Sequence, residues 1–139
     1  MSEPDVTLTR LDRGAERFQT LRRELRVSSF GLNLLVLQPR QRGRIHAHER
    51  QEEVYIVLEG ELTLLIEGSE HLLGPDEVAR VGPAVRRQLA NAGSAPVVVL
   101  ALGGYGEHAG RDGRAWASWE DAGPGGSPQD VAPPEDLPA

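Results

Sequence analysis

Residues 46–61 read HAHERQEEVYIVLEGE, and this stretch decides the fold. Its second half, Glu53 to Leu58, is rich in the β-branched and aromatic residues that fit a pleated surface. Glu59-Gly60 then turns the chain into Glu61 to Ile66, so a β-hairpin is predicted. In the first half, His46 and His48 stand two apart, and in a strand both imidazoles project from one face. Glu53 follows five positions later, at the start of the strongest strand. Two neutral imidazoles and a carboxylate converging from neighbouring strands form a three-ligand face for a divalent metal, with the far side open to water or substrate. Such a donor set suits Fe, Mn, Ni, Co or Zn. The plainer reading of so polar a run is a solvated turn, and His-x-His alone is a weak signal.

Working outward, short apolar runs recur with Gly, Pro or Asn between them. Phe30 to Gln38 precedes the hairpin; Glu70 to Leu73, Glu77 to Val81, Val85 to Ala90 and Pro96 to Leu102 follow it. Regular short strands with turn residues between them predict an all-β sandwich or barrel rather than a βαβ fold. Before them, Val6, Leu8 and Leu11 suggest an edge strand, and Ala15 to Leu25 reads as a short helix or another strand. After them, Arg114 to Asp121 is expected to form a helical turn that lays Trp116 and Trp119 on the barrel. Residues 122–139 (AGPGGSPQDVAPPEDLPA) hold five of the ten prolines and no base. Such a segment buries too little apolar area to offset its own ordering, so a flexible tail is expected.

The 139-residue chain has 15 basic and 21 acidic residues, a net charge of −6. All the basic residues are Arg. The absence of Lys excludes Schiff-base and P-loop chemistry, and the absence of Cys excludes thiolate metal sites and cysteine nucleophiles. Residues 1–50 are net basic, residues 51–119 net acidic, and the last twenty carry five acids. An acidic balance argues against nucleic-acid binding. No apolar run approaches a membrane span, and the first ten residues lack a secretory signal pattern, so a soluble cytoplasmic protein is expected.

His46-x-His48-x4-Glu53-x6-Gly60, followed by the VYIVLEGE hairpin, resembles the first motif of the cupins, G-x5-H-x-H-x3,4-E-x6-G. The opening glycine falls on Arg40, with Gly43 nearest. The stretch Gly74 to Asn91 resembles the second cupin motif, G-x5-P-x4-H-x3-N, in degenerate form. Its histidine position falls on Arg87 counting from Asn91, or on Gln88 counting from Pro83. The resemblance implies a double-stranded β-helix, or jelly-roll barrel, over residues 28–105. An N-terminal strand or helix arm (1–27), a C-terminal loop and short helix turn (106–121) and the tail (122–139) flank it. It also implies a divalent metal (Fe, Mn, Ni or Zn) on His46, His48 and Glu53, and a homodimer. The basic first fifty residues would meet a partner's acidic second segment.

An inward Arg87 has two roles open to it: pairing with Glu53 as an internal counterion, or forking onto an anionic substrate. Tyr55 shares a strand face with Glu53 and lines the pocket or packs in the core. Gln88 and His108 are further candidates for substrate contact, His108 from a glycine-rich loop. Glu52 is expected in solvent, His71 on the surface, and Arg80 and Arg86 at a rim or interface. No nucleophile–base pair for hydrolysis is visible, and no residue is assigned as catalytic. A metal-dependent dioxygenase or isomerase acting on a small anionic substrate is one reading. A non-catalytic ligand-binding or structural cupin with a metal-free pocket is the alternative.

Overall fold

Among the described residues ten strands follow one another along the chain, joined mostly by short turns, and every paired strand is antiparallel to its neighbour. In chain order they are β1 (Phe18–Gln19), β2 (Gly31–Leu37), β3 (Ile45–His48), β4 (Glu52–Glu59), β5 (Leu62–Ile66), β6 (Ser69–Leu73), β7 (Val78–Val81), β8 (Arg87–Ala90), β9 (Val97–Gly104) and β10 (Gly113–Trp116). One short helix, α1 (Leu21–Leu25), follows β1. This computed structural model describes residues 4–104 and 112–138. Two five-stranded sheets, β1-β2-β9-β4-β7 and β10-β3-β8-β5-β6, face each other as a jelly-roll barrel. Among the described residues no helix is long and apolar enough to cross a membrane.

Side-chain alternation divides the apolar residues between two layers. Val57, Leu64, Leu89, Val97 and Val99 fill the space between the sheets. Leu34, Val36 and Val98 point the other way, and Leu21 of α1 covers them. The runs 30–38 and 96–102 are therefore apolar at nearly every position because β2 and β9 are buried on both faces. The β4–β5 turn requires glycine. Gly60 has φ +74°, and a Cβ there would lie 2.3 Å from the Pro96 carbonyl oxygen.

Three segments differ from expectation. Residues 5–11 form no strand. Thr7 donates to the Leu25 carbonyl and Thr9 to Glu24, so the segment runs along α1 instead of a sheet edge. Residues 113–116 form a strand rather than a helical turn, since β3 offers a free edge that pairs Gly113 with His48 and Trp116 with Ile45. Trp116 and Trp119 still cover the outer face of β3, over Ile45 and Ala47.

The third difference is the tail, which lies along the barrel rather than apart from it. Gly126 exchanges two backbone hydrogen bonds with Ala115 at 2.9 and 3.0 Å. Arg44 Nε donates to the Val131 carbonyl at 2.9 Å and Arg42 Nε to that of Glu135 at 2.7 Å. The Leu137 amide donates to the Arg40 carbonyl at 2.8 Å. A proline-rich segment cannot satisfy its own carbonyls; the arginine-rich first third of the chain supplies the donors.

Candidate metal centre

β3 lies between β8 and β10 and turns His46 and His48 into the barrel, while Ile45 and Ala47 face out. Across the barrel, β4 points Glu53 and Tyr55 inward. Glu52, one position earlier, faces solvent and pairs with Arg80 Nε at 2.7 Å. Glu53 Oε1 stands 3.1 Å from His46 Nε2 and 3.2 Å from His48 Nε2. The donor atoms of these three residues all lie within 4.8 Å of one another. The imidazole planes are nearly perpendicular, at 88°.

Neighbouring groups orient these ligands. His46 Nδ1 lies 3.1 Å from the Arg44 carbonyl, to which only a ring N–H can donate, so a neutral imidazole turns its Nε2 lone pair to the site and a protonated one donates from Nε2 to Glu53. His48 Nδ1 stands 3.8 Å from Asp112 Oδ2. Both His48 nitrogens are buried and lack a hydrogen-bond partner. A buried polar atom without a partner is costly. At His48 Nε2 a metal ion would remove that cost, and two imidazoles with one carboxylate match the donor preferences of divalent transition metals. The three residues therefore fit a divalent ion.

Burial alone would raise the Glu53 carboxyl, but the His46 and His48 imidazoles standing 3.1 and 3.2 Å from it hold it well below its ordinary value. Burial pushes the Tyr55 hydroxyl well above its ordinary value, and the Glu53 charge adds to this. It stays a donor, giving a 2.5 Å hydrogen bond to Glu53 Oε1. Tyr55 is also part of the apolar core, as one of the two expectations had it.

Two glycines stand against the site, and only Gly103 lies too close to a ligand side chain to carry a Cβ freely. Gly103 pairs with Glu53 and Gly113 with His48. A Cβ would lie 3.3 Å from Glu53 Cγ in the first case and 3.7 Å from His48 Cε1 in the second. Beside them a cavity of about 320 Å³ is lined by His48, Glu53, Asn33, Arg22, Asp112 and Gln129, among others.

Arg87 sits across the β3–β8 ladder from His46 and is fully buried. Its Nη2 donates to the Gly82 carbonyl at 3.0 Å and the Val81 carbonyl at 3.4 Å. Nε stands 3.8 Å from Glu53 Oε1 without a hydrogen bond. The guanidinium fork is taken up by the turn after β7, and Arg87 is not among the residues lining the cavity. The expectation that it contacts substrate is corrected on that ground. Gln88 is corrected too: it faces the opposite side of β8, donating to the Gly43 carbonyl and accepting from Trp119 Nε1. His108 lies outside the described residues. His71 is exposed on β6. Arg86 stacks between Trp116 and Trp119 on the outer surface, at 4.8 and 5.3 Å.

Sequence reasoning missed Asp112 and Arg22. Asp112 accepts hydrogen bonds from the Arg50 and Gln51 amides, fixing the loop between His48 and Glu53. Reading residues 114–121 as helical hid its position at the head of β10.

The profile of the Cupin domain family matches residues 33–103. A sugar phosphate isomerase of the cupin superfamily from Silicibacter pomeroyi is 31% identical, with a TM-score of 0.59; the match covers 63% of this chain and 58% of that one. The Cupin_2 domain of an XRE family transcriptional regulator from Enterobacter cloacae is 26% identical, with a TM-score of 0.57, over 63% of this chain and 94% of that one. A cupin protein from Bacteroides fragilis reaches a TM-score of 0.65 at 19% identity, over 73% of this chain and 85% of that one. The chain thus spans less than two thirds of the length of the isomerase. No curated protein matches it. On the family match the chain belongs to the cupins.

Proposed function

We propose that this cupin binds one divalent metal through His46, His48 and Glu53, and uses it to act on a small anionic molecule as an isomerase. The observation that carries this reading is His48 Nε2, buried without a hydrogen-bond partner and aimed at Glu53 beside an open cavity. The likeness to a sugar phosphate isomerase supports isomerisation over oxygen chemistry. When bound, the metal supplies Lewis-acid polarisation of a substrate oxygen. The chain's own residues do the rest. Arg44 and Glu53 orient His46, and Tyr55 holds the Glu53 carboxylate from below. Asp112 tethers the loop that joins the two histidines to Glu53. Arg87 lends a positive charge behind Glu53 without entering the cavity. It stands where the cupin pattern has a fourth ligand, so three residues of this chain would hold the metal.

Elemental analysis after loading with Fe(II), Mn(II), Ni(II) or Zn(II) tests the reading. One ion per chain is expected in the wild type and none in a folded His46→Ala/His48→Ala double variant. A wild type that stays metal-free, or a double variant that keeps its metal, contradicts it.

A further inference from the structure

The cavity beside the triad is walled on another side by α1. Leu21 is 2% exposed and anchors this helix on the outer layer of the barrel, next to Leu34 and Val36. The next residue, Arg22, is turned to the cavity and lines it together with Thr20 and Asn33. Arg22 is the one cationic Arg or Lys side chain on the cavity wall among the described residues. No guanidinium nitrogen of Arg22 has a carboxylate or hydrogen-bond partner among them, and its Nε is buried without one. The other arginines with side chains near the barrel mouth are already occupied. Arg17 and Arg42 donate to backbone carbonyls, as does Arg44. Arg50 and Arg80 line a separate surface depression, where Arg80 pairs with Glu52.

The acids on the same wall are not available to Arg22. Asp112 accepts three hydrogen bonds from the Arg50 and Gln51 amides, and Glu53 is held by two imidazoles and Tyr55. A guanidinium presents a planar fork of donors that matches the oxygens of a phosphate or carboxylate. A buried donor without a partner gains most from such a ligand.

We propose that Arg22 is the anion-binding subsite of this cavity. It holds the phosphate or carboxylate end of a small ligand whose remaining oxygens reach toward His48 and Glu53. The proposal rests on the metal-centre reading for the second half of that statement only. A cavity of about 320 Å³ admits a ligand of a few carbons bearing one such group. Asn33, Thr20 and Gln129 supply neutral polar contacts along its length.

The test is calorimetric titration of the full-length, Mn(II)-loaded protein with inorganic phosphate and, in a separate arm, acetate. The wild type is compared with Arg22→Gln and Arg22→Lys. Arg22→Gln should weaken the bound anion by about tenfold or more, with manganese stoichiometry unchanged. Arg22→Lys keeps the charge and should recover part of the loss. Equal affinity in wild type and Arg22→Gln overturns the proposal, because the anion then sits on the metal or elsewhere. Absence of phosphate and acetate binding in the wild type overturns it as well. If the wild type holds no manganese, the same comparison on metal-free protein still decides the role of Arg22, and the metal reading is judged separately by the loading with Fe(II), Ni(II) and Zn(II).

Discussion

The two ends of the barrel interior are built from the same alternation and hold opposite chemistry. At one end Val57, Leu62, Leu64, Val97 and Val99 interlock between the sheets with no polar group among them. At the other, the inward positions of β3, β4 and β8 carry His46, His48, Glu53 and Arg87. Tyr55 stands at the boundary, its ring in the apolar layer and its hydroxyl on Glu53. The contrast separates two tasks. The apolar end supplies stability by removing hydrocarbon from water. The polar end carries buried ionic groups, whose attraction does little more than offset the cost of their desolvation. It is where function can reside at little expense to the fold.

Substitutions at the two ends should therefore fail in different ways. The largest loss of stability is expected at the apolar end. Leu64→Ala leaves a cavity and should cost about 2–5 kcal/mol in denaturant unfolding, with metal stoichiometry unchanged. A loss of metal at equal helix and strand content would break the division. A smaller effect is expected at the boundary. Tyr55→Phe removes a hydrogen bond to a charged group and should cost about 1.5–3 kcal/mol in the metal-free protein. The cost should shrink when metal takes over Glu53. Equal costs with and without metal would show that the hydroxyl serves packing alone.

The smallest effect concerns acid. Burial pushes the Asp112 carboxyl up, but hydrogen bonds from the Gln51 and Arg50 amides outweigh it and hold the group below its ordinary value. A carboxyl lowered in the folded state stabilises the protein above its unfolded value of about 3.9 and loses that contribution as pH falls through the folded one. Melting temperature should therefore fall more steeply below pH ~4 in the wild type than in Asp112→Asn, whose curve also starts lower at neutral pH. Parallel curves would remove Asp112 from the account.

The same contrast explains what could be read in advance. The hairpin and the shared face of His46 and His48 follow from a period of two, which a sequence displays directly. The pairing of Glu53 with those histidines needed the barrel to close, and the motif spacing supplied that. Arg87 was legible as inward, but its partners were not. Its fork is taken up by the carbonyls of residues 81–83, a turn whose shape only the folded backbone fixes. Arg22 looked like any helix-surface arginine, because its direction depends on where Leu21 anchors α1. The tail misled for a related reason. Its composition describes what it cannot do alone, and the guanidiniums of Arg42 and Arg44 that hold it lie about ninety residues away in the chain.

The central claim is that His46, His48 and Glu53 form a metal centre rather than a buried knot of hydrogen bonds. Anomalous diffraction from crystals grown with Zn(II) tests it most directly. The account predicts one peak roughly 2.0–2.2 Å from His46 Nε2, His48 Nε2 and a Glu53 carboxylate oxygen. Crystals with no peak there, and with the Arg87 guanidinium hydrogen-bonded to Glu53 in its place, would contradict it.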